Sequence, residues 1–262
     1  MRLALGLVGR SSMGVCSGSY PHFERGFQME FKRSAVSAAV LGAALMSGSA
    51  LAGVSGNVGA VSEYVFRGIS QGSGAAVQGG VDYAADSGFY VGLWGSNISW
   101  GPGSAETDVY AGFSGGDTVT YDLGVTYYYY PEEDEAGTDP TANTVEAYFG
   151  LGFGPVSVKA YYSPTYFGAT DPSGDDITQL YVNASASFPM SDSLSLDAAV
   201  GMTSLSDDVN FGYETTDSYI DYSVALSKAI DDTMSASFSI IGTDLSDDDP
   251  KYVVSLSKSF DL

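Results

Sequence analysis

Apolar and small polar residues alternate with a period of two along most of the chain. In "LYVNASASF", Leu180, Val182, Ala184, Ala186 and Phe188 share one side, and Tyr181, Asn183, Ser185 and Ser187 share the other. In "SLSLDAAVGM", Leu194, Leu196, Ala198, Val200 and Met202 oppose Ser193, Ser195, Asp197, Ala199 and Gly201. "YIDYSVALS", "TMSASFSI" and "YVVSLSKSF" repeat the pattern. Such alternation marks strands with two unlike faces, and no stretch after Gly53 carries a convincing helical period. Twelve strands are predicted, near 56–70, 75–86, 88–99, 105–115, 117–130, 143–154, 155–164, 177–188, 192–204, 215–229, 232–243 and 250–260. Each is long enough for the ~9–11 residues that a tilted strand needs to cross a bilayer.

The connections alternate in length. "ADSG", "GGD", Gly154-Pro155, "PMSD" and Ile230-Asp231-Asp232 are tight. The others, "NISWGPGSAE", "PEEDEAGTDPTAN", "SPTYFGATDPSGDD", "SLSDDVNFGYETT" and "TDLSDDD", are longer, although the first of that set, "SQGSGA", is short. Short turns at one end and long loops at the other are the plan of a membrane barrel with periplasmic turns and external loops. The fold class expected is all-β, a transmembrane antiparallel up-and-down β-barrel of about 12 strands. An even strand count puts both barrel termini on the periplasmic side.

"VTYYYYPEEDEAG", residues 125–137, fits that plan. Tyr127 and Tyr129 continue the outward face of Val119, Tyr121, Leu123 and Val125 to the membrane edge. There an aromatic ring buries its body in acyl chain and leaves its hydroxyl among headgroups. Pro131 ends the pairing, and Glu132, Glu133, Asp134 and Glu135 are expected in water; Tyr128 and Tyr130 are expected at the rim of the lumen. Phe260 is a third expected interface aromatic, close to the end of the last strand. The alternative is the edge of a soluble β-sandwich beside an acidic loop.

Opposite the apolar face lie ionisable residues: Glu63, Arg67, Asp82, Asp108, Asp122, Glu146, Lys159, Asp197 and Asp221. Arg or Lys facing lipid at the midplane costs roughly 2–4 kcal/mol, so this face is expected to line a lumen or pore. Gly80, Gly92, Gly112, Gly124, Gly150 and Gly201 fall on the same face and would relieve crowding inside. Either Arg67 and Lys159 pair with carboxylates and plug the interior, or a water column survives whose negative potential favours cations and small neutral solutes. Glu63 and Arg67, four residues apart on one predicted strand, are expected to pair across to neighbouring strands rather than with each other.

Charge and composition sharpen the picture at the start of the chain. "MEFKRSAVSAAVLGAALMSGSALAG" begins at Met29 with a basic pair, continues as a short apolar run, and ends on a small-x-small cleavage pattern. Residues 29–52 are expected to be a cleaved signal peptide, 1–28 an upstream extension and 53–262 the barrel. Export would remove Arg2, Arg10, Arg25, Lys32 and Arg33, leaving five of ten basic residues, and Glu24 and Glu30, leaving 30 of 32 acids, a net charge of −25. Cys16 and His22, the single cysteine and histidine, precede the cleavage point. No disulfide, no Ser–His chemistry and no histidine metal cage would then be available. The exported form is expected not to be an enzyme and to hold no cofactor or metal; a hydrolase built on Asp and Glu alone is the alternative. "DPSGDD" (171–176) and "SDDDP" (246–250) lack the ligand spacing of an EF-hand. They are read as solvated acidic loops, with loose divalent-cation bridging to lipopolysaccharide as the sharper alternative.

"VSGNVGAVSEYVFRGISQ" (54–71), "GGVDYAADSGFYVGLWGSNISW" (79–100), "ETDVYAGFSG" (106–115) and "YVVSLSKSF" (252–260) resemble the TorF-family porins, also called the Gcw_chp family of Gram-negative bacteria. The resemblance implies an outer-membrane barrel with a porin role and brings no catalytic residues. Expected partners are outer-membrane lipid, lipopolysaccharide and the barrel-assembly machinery, without nucleic acid, as a monomer or small homo-oligomer. The second functional class is a non-conducting structural or adhesive barrel with acidic, cation-binding external loops. Assembly signals usually end on an aromatic; here Phe260 is followed by Asp261 and Leu262.

Overall fold

The computed structural model describes residues 53–72, 74–100, 103–131, 141–212 and 214–262. The expected extension and signal peptide lie outside the described residues, as do Glu132, Glu133, Asp134 and Glu135. The strands are β1 (Gly53–Val61), β2 (Val65–Phe66), β3 (Ile69–Ser70), β4 (Ala76–Ala84), β5 (Phe89–Asn97), β6 (Ala105–Gly116) and β7 (Val119–Tyr129). They continue as β8 (Thr144–Phe153), β9 (Val156–Ser163), β10 (Gln179–Ser191), β11 (Leu194–Asn210), β12 (Thr215–Ala229), β13 (Met234–Thr243) and β14 (Lys251–Asp261). All but β2 and β3 form one closed antiparallel barrel of 12 strands.

Closure comes from β1, which pairs with β4 on one side and with β14 on the other, from Ser55 opposite Asp261 to Val61 opposite Ser255. A closed barrel leaves no strand edge, so every strand's ladder groups can pair without water. Side-chain polarity is inverted relative to a water-soluble protein. Outward positions carry exposed Leu93, Val109, Leu123, Phe149, Val224 and Leu226, while Gln78, Asp122, Glu146, Gln179, Thr203 and Ser239 are buried inside. An apolar belt of that extent is stable against lipid and not against water. The soluble β-sandwich is thereby replaced by a barrel. No helix among the described residues is long and apolar enough to cross a membrane.

Three elements differ from the sequence expectation. The first predicted strand, 56–70, is β1 alone. Its remainder leaves the wall as the β2–β3 hairpin, so the connection that looked short runs from 62 to 75. The run "VFRGIS" alternates well enough to pass for strand, and nothing local says which sheet it joins. The predicted loop after residue 204 is mostly strand: β11 and β12 continue to Asn210 opposite Thr215 after an irregularity between Ser204 and Val209. Within the polar "SDDVN", Val209 and Asn210 regain partners on β12, Thr216 and Thr215. Finally β10 runs to Ser191 past an irregularity at Pro189, where a proline without an N–H is tolerated.

Candidate functional site

The β2–β3 hairpin turns through Arg67 and Gly68, whose φ angles are 47° and 82°. Two positive φ values in a two-residue loop make a type I′ turn, a conformation that costs a non-glycine residue about 1–2 kcal/mol. The hairpin springs from the wall between β1 and β4 and reaches the opposite wall. A Cβ on Gly68 would stand 2.4 Å from Thr243 Cγ2 and 2.9 Å from Asp221 Cβ, so only glycine lets the tip seat against β12 and β13. Arg67 goes further. Its guanidinium donates to Glu146 Oε2 at 2.8 Å and to Gln179 Oε1 at 2.9 Å, on β8 and β10. It also lies 4.1 Å from the centre of the Tyr181 ring and 4.9 Å from that of Tyr161. The strained turn is held because the ion pair, the amide and two ring faces all converge on one cation.

Below the hairpin, cross-strand register assembles rows. Tyr148, Tyr161 and Tyr181 stand opposite one another on β8, β9 and β10, with ring centres 5.8 Å apart at each step. Asp122, Gly150 and Lys159 form another row, and Lys159 Nζ reaches over the glycine to Asp122 Oδ2 at 2.8 Å. Tyr90, Gly112, Gly124 and Tyr148 form a third, in which the two tyrosine hydroxyls meet at 2.5 Å above the glycines. Tyr110 likewise crosses Gly92 to hydrogen-bond Asp82. A long polar side chain on one strand thus meets its partner two or three strands away because the residues between have no side chain.

The nine residues expected in the lumen separate into groups. Arg67 and Glu146 form one buried ion pair and Lys159 and Asp122 another. Asp82 is held by Tyr110, Asp221 accepts from the Tyr181 hydroxyl at 3.2 Å, and Asp197 accepts from Ser187 at 2.5 Å and Ser195 at 3.1 Å. Asp108 is buried with Oδ1 unpartnered among the described residues. Glu63 is not on a strand; it lies half-buried in the bend before β2. Arg67 finds its carboxylate across the lumen rather than on an adjacent strand, because the hairpin carries it there. Tyr127 and Tyr129 face outward, their rings stacked at 6.2 Å, and Phe260 is exposed beside Gly56. Tyr128 and Tyr130 point inward, donating to Glu146 at 3.0 Å and to Glu106 at 3.2 Å.

Glu106 is the interior acid that sequence reasoning missed, although it lies two residues before Asp108 on the same face. Its carboxylate is almost fully buried and also accepts from the Tyr64 hydroxyl at 2.9 Å. It lines an open cavity of about 310 Å³ on the long-loop side of the hairpin, with Phe66, Ile69, Ser70, Gln71, Trp100, Tyr128, Tyr130, Tyr166, Phe167, Val209, Asn210, Phe211 and Tyr219. These residues come from the hairpin, β6, β7, β11, β12 and the connections that carry Trp100, Tyr130, Tyr166 and Phe211, so no single segment announces them. Trp94 packs edge-on to Tyr64 at 5.6 Å. Among the described residues no group of three His, Cys, Asp or Glu could hold a metal ion.

The sequence profile described as "Bacterial protein of unknown function (Gcw_chp)" matches residues 46–260. The chain belongs to that family. No curated protein matches the sequence. Among solved structures, the NanC porin is similar, with a TM-score of 0.54 at 10% identity, over 80% of this chain and 100% of that one. The KdgM porin is similar with a TM-score of 0.50 at 14% identity, over 79% of this chain and 99% of that one. The same porin in complex with disordered oligogalacturonate matches with a TM-score of 0.51 at 13% identity, over 79% of this chain and 99% of that one. At such identities the likeness establishes the fold, a porin-like 12-stranded barrel.

Proposed function

We propose that this Gcw_chp-family barrel is an outer-membrane porin through which cations and small neutral solutes diffuse, narrowed midway by the Arg67 hairpin. The observation that carries the reading is the charge balance inside. Arg67 and Lys159 are each matched to one carboxylate, and Asp82, Glu106, Asp108, Asp197 and Asp221 make no ion pair among the described residues. A lumen with surplus carboxylates attracts cations and repels anions. A polyanion such as the oligogalacturonate bound by the KdgM porin would meet repulsion here. The long loops face outward, lipid and lipopolysaccharide surround the apolar belt, and the barrel-assembly machinery inserts the chain as a monomer or small homo-oligomer. The protein performs no covalent chemistry.

A second reading is supported by the same hairpin. With its tip seated on β12 and β13 and its arginine tied to β8 and β10, the loop could stop flow and leave a structural barrel. Planar-bilayer recording of the refolded protein under a salt gradient separates the two. Discrete conductance with a reversal potential favouring potassium over chloride is expected. A permeability ratio near one, or a preference for chloride, overturns the acidic-lumen assignment, and a silent membrane with correctly folded protein favours the plug.

A further inference from the structure

The cavity above the hairpin has an unusual composition. Eight of its lining residues are aromatic, and Glu106 supplies the one carboxyl group among them. The rings are braced edge to face: Trp100 on Tyr130 at 5.0 Å, Tyr128 on Phe167 at 5.4 Å and Phe211 on Tyr219 at 4.9 Å. Glu106 is fixed by hydroxyl donors from Tyr64 and Tyr130, and no cation pairs with it among the described residues. Below it the buried Asp108 Oδ1 has no partner, and the buried indole N–H of Trp100 has none either, among the described residues.

We infer that this vestibule binds small alkylated ammonium compounds, cations with an apolar body, before they pass the hairpin. Aromatic faces and a neighbouring carboxylate favour such a cation, since the ring quadrupole and the negative charge add while methyl groups fill the apolar wall. A bare metal ion would exchange its water for a single carboxylate. An anion would be repelled. A neutral sugar would find the Tyr128 and Tyr130 hydroxyls already committed to Glu146 and Glu106. The volume of about 310 Å³ suits a molecule of this size.

The inference rests on the porin reading for its biological meaning, but its test does not depend on current. Isothermal titration calorimetry of the full chain, folded in detergent, is run with choline chloride and, at matched ionic strength, with potassium chloride and glucose. Choline is expected to bind saturably and the other two not. Glu106→Gln, nearly isosteric, is expected to weaken choline by about tenfold or more. Phe211→Leu, which removes a ring but no charge, should weaken it by a smaller factor and serves if the first variant does not fold. Absence of choline saturation, equal binding of glucose, or unchanged affinity in a folded Glu106→Gln protein overturns the proposal. Choline binding without channel activity would retain the site and reject the porin; cation-selective conductance without choline binding would do the reverse.

Discussion

Single residues set the shape of this lumen by being present or absent. Arg67 is the clearest case, because one cation in a left-handed turn ties the hairpin to β8 and β10. Arg67→Ala would leave Glu146 buried without its cation, a loss in the range of about 3–5 kcal/mol for a broken buried pair. A lower urea midpoint together with a larger single-channel conductance is expected, and an unchanged conductance would show that the hairpin does not limit flow. Glycines act by subtraction. A Cβ on Gly112 would stand 2.4 Å from the Tyr90 hydroxyl and 2.5 Å from the Leu123 carbonyl oxygen, which is backbone and cannot swing away. Gly112→Ala should therefore destabilise the refolded barrel by about 1–3 kcal/mol, measured by denaturant titration. Gly154→Ala, at a turn where a Cβ meets nothing within 4 Å, is strained by its φ of 56° alone and should cost less.

At the scale of elements, the β2–β3 hairpin is separable from the wall. The barrel ladder passes from β1 directly to β4, so removing the hairpin leaves every wall pairing in place. Replacing residues 64–72 by a short Gly-Ser turn should preserve the strand content seen by circular dichroism and raise conductance several-fold. Collapse of the barrel instead would mean that the small apolar cluster around the hairpin, with Val61, Val65, Ile98, Ile241 and Val253, is needed to hold the mouth. This element was the least legible in the sequence. "YVFRGIS" carries strand-forming residues and an alternation like its neighbours, and local pattern does not say whether a strand joins the wall or folds inside it.

The whole molecule is organised by one boundary, lipid outside and a polar, carboxylate-bearing interior within. Leu123 lies mid-strand on the outward face, and Leu123→Arg should cost roughly 2–4 kcal/mol in bilayer folding titrations. The same substitution at outward-facing Met190, near the tight-turn end, should cost far less, since the penalty falls toward the interface. Equal penalties at the two sites would contradict a spanning belt. The strand count and the inward placement of Asp108, Asp122, Glu146, Lys159 and Asp221 were legible because a period of two admits only two faces, and hydrocarbon tolerates only one of them. Glu106, two residues before Asp108, obeys the same rule.

The amino-acid order by itself determined the alternation, the turn lengths and hence a closed ribbon with an apolar exterior, since those follow from neighbours one and two residues apart. It also determined that glycines share the face of the charges. Which charges meet was decided only in three dimensions. Asp122 reaches Lys159 across Gly150, and Arg67 reaches Glu146 across the lumen, because register and closure bring together residues 37 and 79 positions apart in the chain. The aromatic vestibule arose the same way: its rings come from separate strands and loops, and strand periodicity carries no information about which of them share one end of a closed wall.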